Sequence, residues 1–203
     1  MFWLLIGFPL IFIIIVIVIA LIVGRRDRKK QLQQIEENKK NLLKSNPKQG
    51  VYNYFDQHKE FYEYLFKDVQ INNSQISTNI DIVYFSRKGL YLINVVGNNG
   101  ALSGDALGEY WINKVVEEYA IKNPLYHNEK LIETFGNIVN LKANLHNVVI
   151  CPNISSINLV NNEGYVVGLG NFFQHIDDLD DIFSDNDLMV FYNTLVNYLD
   201  RQK

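Results

Sequence analysis

TNIDIVYFSRKGLYLINVV, residues 78–96, decides how this chain folds. It holds two runs rich in β-branched and aromatic residues, IDIVYFS (Ile80–Ser86) and LYLINVV (Leu90–Val96). Arg87-Lys88-Gly89 joins them, a connection short enough to predict an antiparallel hairpin. Ile80, Val83, Phe85, Leu90, Leu92 and Ile93 are expected to be buried in a central sheet, whichever face each one takes.

Upstream of the hairpin, Phe55, Phe61, Tyr62, Leu65 and Phe66 recur near helical spacing. They predict a helix that starts with Asp56 as its N-cap. Residues 71–79 read as a loop or strand edge. Downstream, GNNGALSGDALG (Gly97–Gly108) is glycine-rich and polar. It lacks the GK[ST] of a phosphate-cradling loop, and no clear helix start follows it. EYWINKVV (Glu109–Val116) predicts a short strand. Asn123-Pro124 predicts the start of a second helix, with Leu131, Ile132, Phe135, Ile138 and Val139 as its apolar stripe. NVVIC (Asn147–Cys151) and YVVGL (Tyr165–Leu169) read as strands, and Phe172–Phe183 as a helix. Ser184 caps a last helix, with Asp187 in the capping-box position and Leu188, Phe191, Tyr192, Leu195 and Leu199 on one face. This order predicts an α/β (α+β) fold, a mixed central sheet flanked by helices.

The first 23 residues carry no charge, and RRDRKK follows almost at once. Residues 2–23 would span ~33 Å as a helix, enough for a hydrocarbon core of ~30 Å. A cleaved signal peptide is the competing reading. It would have a basic start, a shorter core and a small-residue cleavage site, and none is evident. The expectation is one transmembrane helix ahead of the folded domain. Arg25, Arg26, Arg28, Lys29 and Lys30 all flank its C-terminal side, so the N-terminus would lie outside and the rest in the cytoplasm. The same five residues would meet anionic lipid headgroups at the cell membrane. The expected division is 1–23 anchor, 24–50 basic juxtamembrane helix and linker ending in SNPKQG, 51–176 main domain, and 177–203 acidic segment with the C-terminal helix.

Charge is unevenly placed. Residues 24–50 hold nine Lys/Arg and three Asp/Glu, whereas residues 51–203 hold ten and nineteen. The domain's surplus of negative charge disfavours a phosphate backbone as partner and favours a protein. The single cysteine, Cys151, excludes an intramolecular disulfide. It reads as a small buried residue at a strand end. His58, His127, His146 and His175 show no metal-ligand spacing. The run Asp177, Asp178, Asp180, Asp181, Asp185, Asp187 lacks the spacing, glycine and terminal glutamate of a calcium loop, and reads as a solvated acidic face.

Four landmarks in order resemble the nuclease-related domain family. They are Lys59-Glu60, the stretch Thr78–Val96, the small-residue loop from Gly100 ending at Trp111, and NPLYHN (Asn123–Asn128). The resemblance covers roughly residues 56–169 and implies a restriction-endonuclease-like fold. In that chemistry carboxylates hold a divalent metal, usually Mg²⁺, and a lysine stands beside the attacking water. The resemblance places the helix carboxylate at Glu60 and the strand carboxylate at Asp81, which would also be the metal ligand. It places the family's Glu-x-Lys at Asn94 and Val96. Residues two apart on a strand share a face, which is why that spacing serves one site. Here one position is neutral and the other apolar. Lys59 also stands where the family has glycine, and His127 where it has glutamine. The expectation is therefore a catalytically degenerate domain with no cofactor, used for binding or scaffolding at a membrane. One alternative is an active Mg²⁺-dependent nuclease with migrated groups, for which Lys88, Glu117, Glu118, Lys130 and Glu133 are candidates. The other is a protein-docking subunit of a membrane complex.

Overall fold

The computed structural model describes residues 25–72, 77–126 and 129–202. The chain divides between Asn41 and Leu42 into two units, each described by itself. Residues 25–45 are helical (α1), and up to Asn41 every side chain of this helix is exposed.

The expected transmembrane helix over residues 2–23 falls outside the described residues. Among the described residues, no helix is long and apolar enough to cross a membrane. The single-pass topology, the lipid contacts of Arg25, Arg26, Arg28, Lys29 and Lys30, and the cell-membrane placement are therefore corrected. All three rested on the hydropathy of one segment, and no helix among the described residues supports them. The mixed α/β sheet flanked by helices is present.

Helix α2 spans Pro47–His58, nine residues earlier than the expected start at Asp56. Asn46 is its N-cap, accepting from the Gln49 amide at 3.2 Å, and Pro47 supplies a preset φ in the first turn. The aromatic run that suggested a helix is instead strand β1, Tyr64–Asn72. It pairs antiparallel with β2, Ser77–Ser86, which turns through Arg87-Lys88 into β3, Gly89–Val95. The hairpin expectation holds.

Between Gly97 and Lys122 the expectation of one strand falls short. Three strands lie there, β4 (Gly100–Asp105), β5 (Tyr110–Lys114) and β6 (Glu118–Lys122). Glycine hid β4, and the reason is steric. Gly100 has φ +93, and a Cβ there would meet the Lys114 carbonyl oxygen at 2.1 Å. Helix α3 (Glu129–Val139) follows, then β7 (Leu145–Ile150), β8 (Ile154–Val160), β9 (Val166–Val167), α4 (Leu169–Asp177) and α5 (Asp185–Asp200). The capping box of Ser184 and Asp187 forms as expected. Helix α3 begins later than Asn123-Pro124, which forms a turn instead.

The main sheet has the order β1-β2-β3-β7-β9, with β7 parallel to β3 and β9 parallel to β7. Helices α3 and α5 cover one face through Leu131, Phe135, Leu188 and Leu195. Helices α2 and α4 cover the other through Val51, Phe55, Phe172 and Ile176. The second sheet has the order β6-β5-β4-β8 and packs around fully buried Trp111, whose indole donates to the Asp105 carbonyl at 2.9 Å. Ile80, Val83, Phe85, Leu90, Leu92 and Ile93 are all fully buried.

Candidate active site

Strands alternate faces, and β2 breaks that rule once. Val83 and Phe85 lie on the α3/α5 face, while Ile82 and Tyr84 lie on the α2/α4 face. Ile80 should then join Ile82, yet it packs with Val83 and Phe85. The alternation slips by one residue at Asp81. β1 slips at the same level. Asp68, which the register places across from Asp81, has φ +52 and makes no ladder pair. The pairing of β2 with β3 ends at Ile82 and Ile93, so the backbone N–H of Val95 has no partner on β2.

Asp81 fills that gap. Its Oδ2 accepts from the Val95 N–H at 2.8 Å. Its Oδ1 accepts from the ammonium of Lys48, which reaches over from the first turn of α2. The carboxylate is buried and the lysine half exposed. Around this pair, Lys67 donates to Gln49 at 2.6 Å and lies 3.7 Å from the exposed carboxylate of Asp68.

The other expected groups are arranged differently. Glu60 is exposed and 3.7 Å from Arg87, at the opposite end of β2. Arg87 lies six residue steps along the chain from Asp81, roughly 20 Å at ~3.3 Å per step. The structure does not bring Glu60 and Asp81 together. Asn94 is partly buried, and its side chain has no hydrogen bond among the described residues. Val96 sits in the apolar cluster with Leu102, Trp111 and Val149.

The buried carboxylate near Glu60 is Glu63, which the sequence reading passed over. It accepts from the Ser86 hydroxyl at 2.5 Å, from the Tyr84 hydroxyl, and from the Glu60 backbone N–H at 2.8 Å. Burial, then the bond to Glu63, pushes the Tyr84 phenol far above its ordinary range. Burial also pushes Tyr91 up to about 12. A signal was present: Tyr84 and Ser86 are two polar side chains at period two, set among apolar Ile82, Val83 and Phe85. This cluster fastens the 59–63 turn to the sheet.

Among the proposed migrants, Lys88 donates to the Asp177 carbonyl at 3.1 Å and to that of Leu179, and Glu118 pairs with Lys114 at 2.9 Å. The group that does reach Asp81, Lys48, had been assigned to a linker. The acidic run is not simply solvated either. Asp185 binds Arg87 at 2.7 Å, and Asp181 lies 3.9 Å from the same guanidinium. Asn123 holds two loop carbonyls, of Ala106 at 2.8 Å and Gly108 at 2.5 Å. His127 lies outside the described residues. Among those described, no three His, Cys, Asp or Glu side chains gather as a metal site.

The sequence profile of the nuclease-related domain matches residues 45–160, more than half of the chain. The chain belongs to the nuclease-related domain family. Comparison with curated proteins and with solved structures finds no match. The matched region opens on α2 and closes with β8. Within this nuclease-related domain, the charged partner of Asp81 is a cation supplied by the protein itself, Lys48.

Proposed function

We propose that this nuclease-related domain acts by binding and does not hydrolyse phosphodiesters. One observation carries the reading: the Lys48 ammonium sits on Asp81 where the family's chemistry would place a divalent cation. Mg²⁺ demands a near-octahedral set of oxygen ligands, with carboxylates to offset its charge. Here both oxygens of Asp81 are already engaged, Asn94 is neutral, Val96 has no donor atom, and Glu60 is at the far end of the strand. That donor set does not fit the metal. An ammonium at the carboxylate neutralises it without offering a Lewis acid to a phosphoryl oxygen.

A second reading has its own observation. Asp68 lies level with Asp81, between the Lys67–Ile82 and Val69–Ile80 pairs of β1 and β2, so the backbone brings a second aspartate to the level of Asp81 and Lys48. That is the arrangement migrated catalytic groups would need. Mn²⁺ titration of the full chain, followed by electron paramagnetic resonance, separates the two. The proposal expects no stoichiometric site tighter than millimolar. A tight site abolished by both Asp81→Asn and Asp68→Asn would overturn it in favour of the nuclease.

A further inference from the structure

The second sheet ends in an open edge. β6 pairs with β5 on one side, and among the described residues no strand pairs with it on the other. It has neither a proline nor a bulge, two of the devices that blunt an edge strand. The ladder bond from the Asn123 N–H to the Glu109 carbonyl at 3.0 Å sets the phase of the pairing. Tyr119 and Ile121 turn their backbone groups towards β5, while Glu118, Ala120 and Lys122 turn theirs outward. The side chains follow the same alternation. Ile121 packs into the cluster around Trp111, and Tyr119 accepts from the buried Asn113 amide at 2.6 Å. Glu118, Ala120 and Lys122 are exposed on the other face.

The order of those three residues selects an occupant. Glu118 and Lys122 stand two positions either side of Ala120. Let a second β6 lie antiparallel against the first, with the two Ala120 residues facing each other. Each Glu118 then faces the other copy's Lys122, and the outward N–H and C=O groups of both strands meet. Opposite charges in facing positions favour pairing, and like charges oppose it. The register is self-complementary, as a two-fold interface requires. A parallel arrangement would set like charges together, and a slip of two residues would lose both ion pairs. The other edges carry no such pattern: β1 is interrupted at Asp68, β9 has two residues, and β8 holds no charge.

We propose that β6 is a self-association edge, at which two copies of this chain join antiparallel about Ala120 and merge their four-stranded sheets into one. The inference does not depend on the reading of Asp81. The contact is a single five-residue strand, so the dimer is micromolar rather than nanomolar.

Sedimentation velocity of the full chain over a concentration series tests this. Wild type should pass from monomer to dimer in the micromolar range. Glu118→Lys or Lys122→Glu alone makes both facing pairs like-charged, and each should weaken the dimer at least about tenfold. An equimolar mixture of the two variants sets opposite charges together again, and should dimerise where neither does alone. Loss of the Lys114–Glu118 pair within one chain cannot produce that rescue. Ala120→Cys should form an intermolecular disulfide on mild oxidation, because facing residues of such a pair lie ~5.5 Å apart at Cα. Ser156→Cys, exposed on β8 of the same sheet, should not; Cys151 is buried and does not compete. A wild type that stays monomeric would overturn the proposal and leave the edge to a strand of a different protein. A dimer indifferent to Glu118→Lys, a mixture no better than its parts, or equal cross-linking through Ser156→Cys would place the contact elsewhere and equally refute it.

Discussion

Asp81 is the residue whose replacement separates a structural carboxylate from a catalytic one. Asp81→Ala removes two bonds of different worth. The first is the acceptor for the Val95 N–H at 2.8 Å, in a buried place where the slip of β2 leaves that donor no ladder partner. An orphaned buried donor costs ~1–3 kcal/mol. The second is the ion pair to Lys48, whose ammonium is half exposed, so it contributes only ~0–1 kcal/mol. The expected loss is about 2–3 kcal/mol in total, or roughly 4–12 °C in melting temperature for a chain of this size. Asp81→Asn keeps an acceptor for Val95 and should lose about 1 kcal/mol or less. Lys48→Met should lose no more than that. Urea unfolding of the three full-length variants, with the slope checked for constancy, measures these differences. The reasoning fails if Asp81→Asn is as unstable as Asp81→Ala. It also fails if Lys48→Met costs more than Asp81→Ala, because the ion pair would then dominate.

Phe85 is fully buried against Phe66, Phe135 and Phe191, and Phe85→Ala should cost ~3–5 kcal/mol in the same assay; an unchanged unfolding curve would misplace the core. Ser184→Ala removes the capping box of α5 and should cost ~0.5–2 kcal/mol, restored in part by Ser184→Asp. Tyr91 ionises at about 12 when folded, against an ordinary 10.0, and Tyr84 is shifted in the same direction. The folded state therefore keeps protons that the unfolded chain gives up. This contribution is complete below pH ~10 and is lost as pH rises towards 12. Urea midpoints should fall over that window, and Tyr84→Phe should make the fall shallower.

The hairpin was readable because β-branched and aromatic runs flank a connection too short for anything else. Ser184 and Asp187 were readable because a capping box is local chemistry. The first helix was misplaced because Phe55 to Phe66 satisfies helical spacing by accident, while Asn46-Pro47, a true helix start, resembles a turn. β4 was hidden by its glycines, of which Gly100 serves a close approach to Lys114. At the site, the family resemblance pointed to Asp81, but nothing in the sequence pointed to its partner. Lys48 lies 33 residues away, and only the packing of α2 over the slipped strands brings it there. Glu60 was preferred to Glu63 because burial, not spacing, distinguishes two glutamates three residues apart.

Cleavage assays decide the central claim most directly. Full-length wild type and Asp81→Ala would be incubated with Mg²⁺ or Mn²⁺ and the same single-stranded DNA, duplex DNA and RNA. With Lys48 on Asp81 and no carboxylate at Asn94, neither protein should cleave above background, and the two should be indistinguishable. Metal-dependent cleavage by the wild type that disappears in Asp81→Ala would contradict the account and make the domain a nuclease with migrated groups.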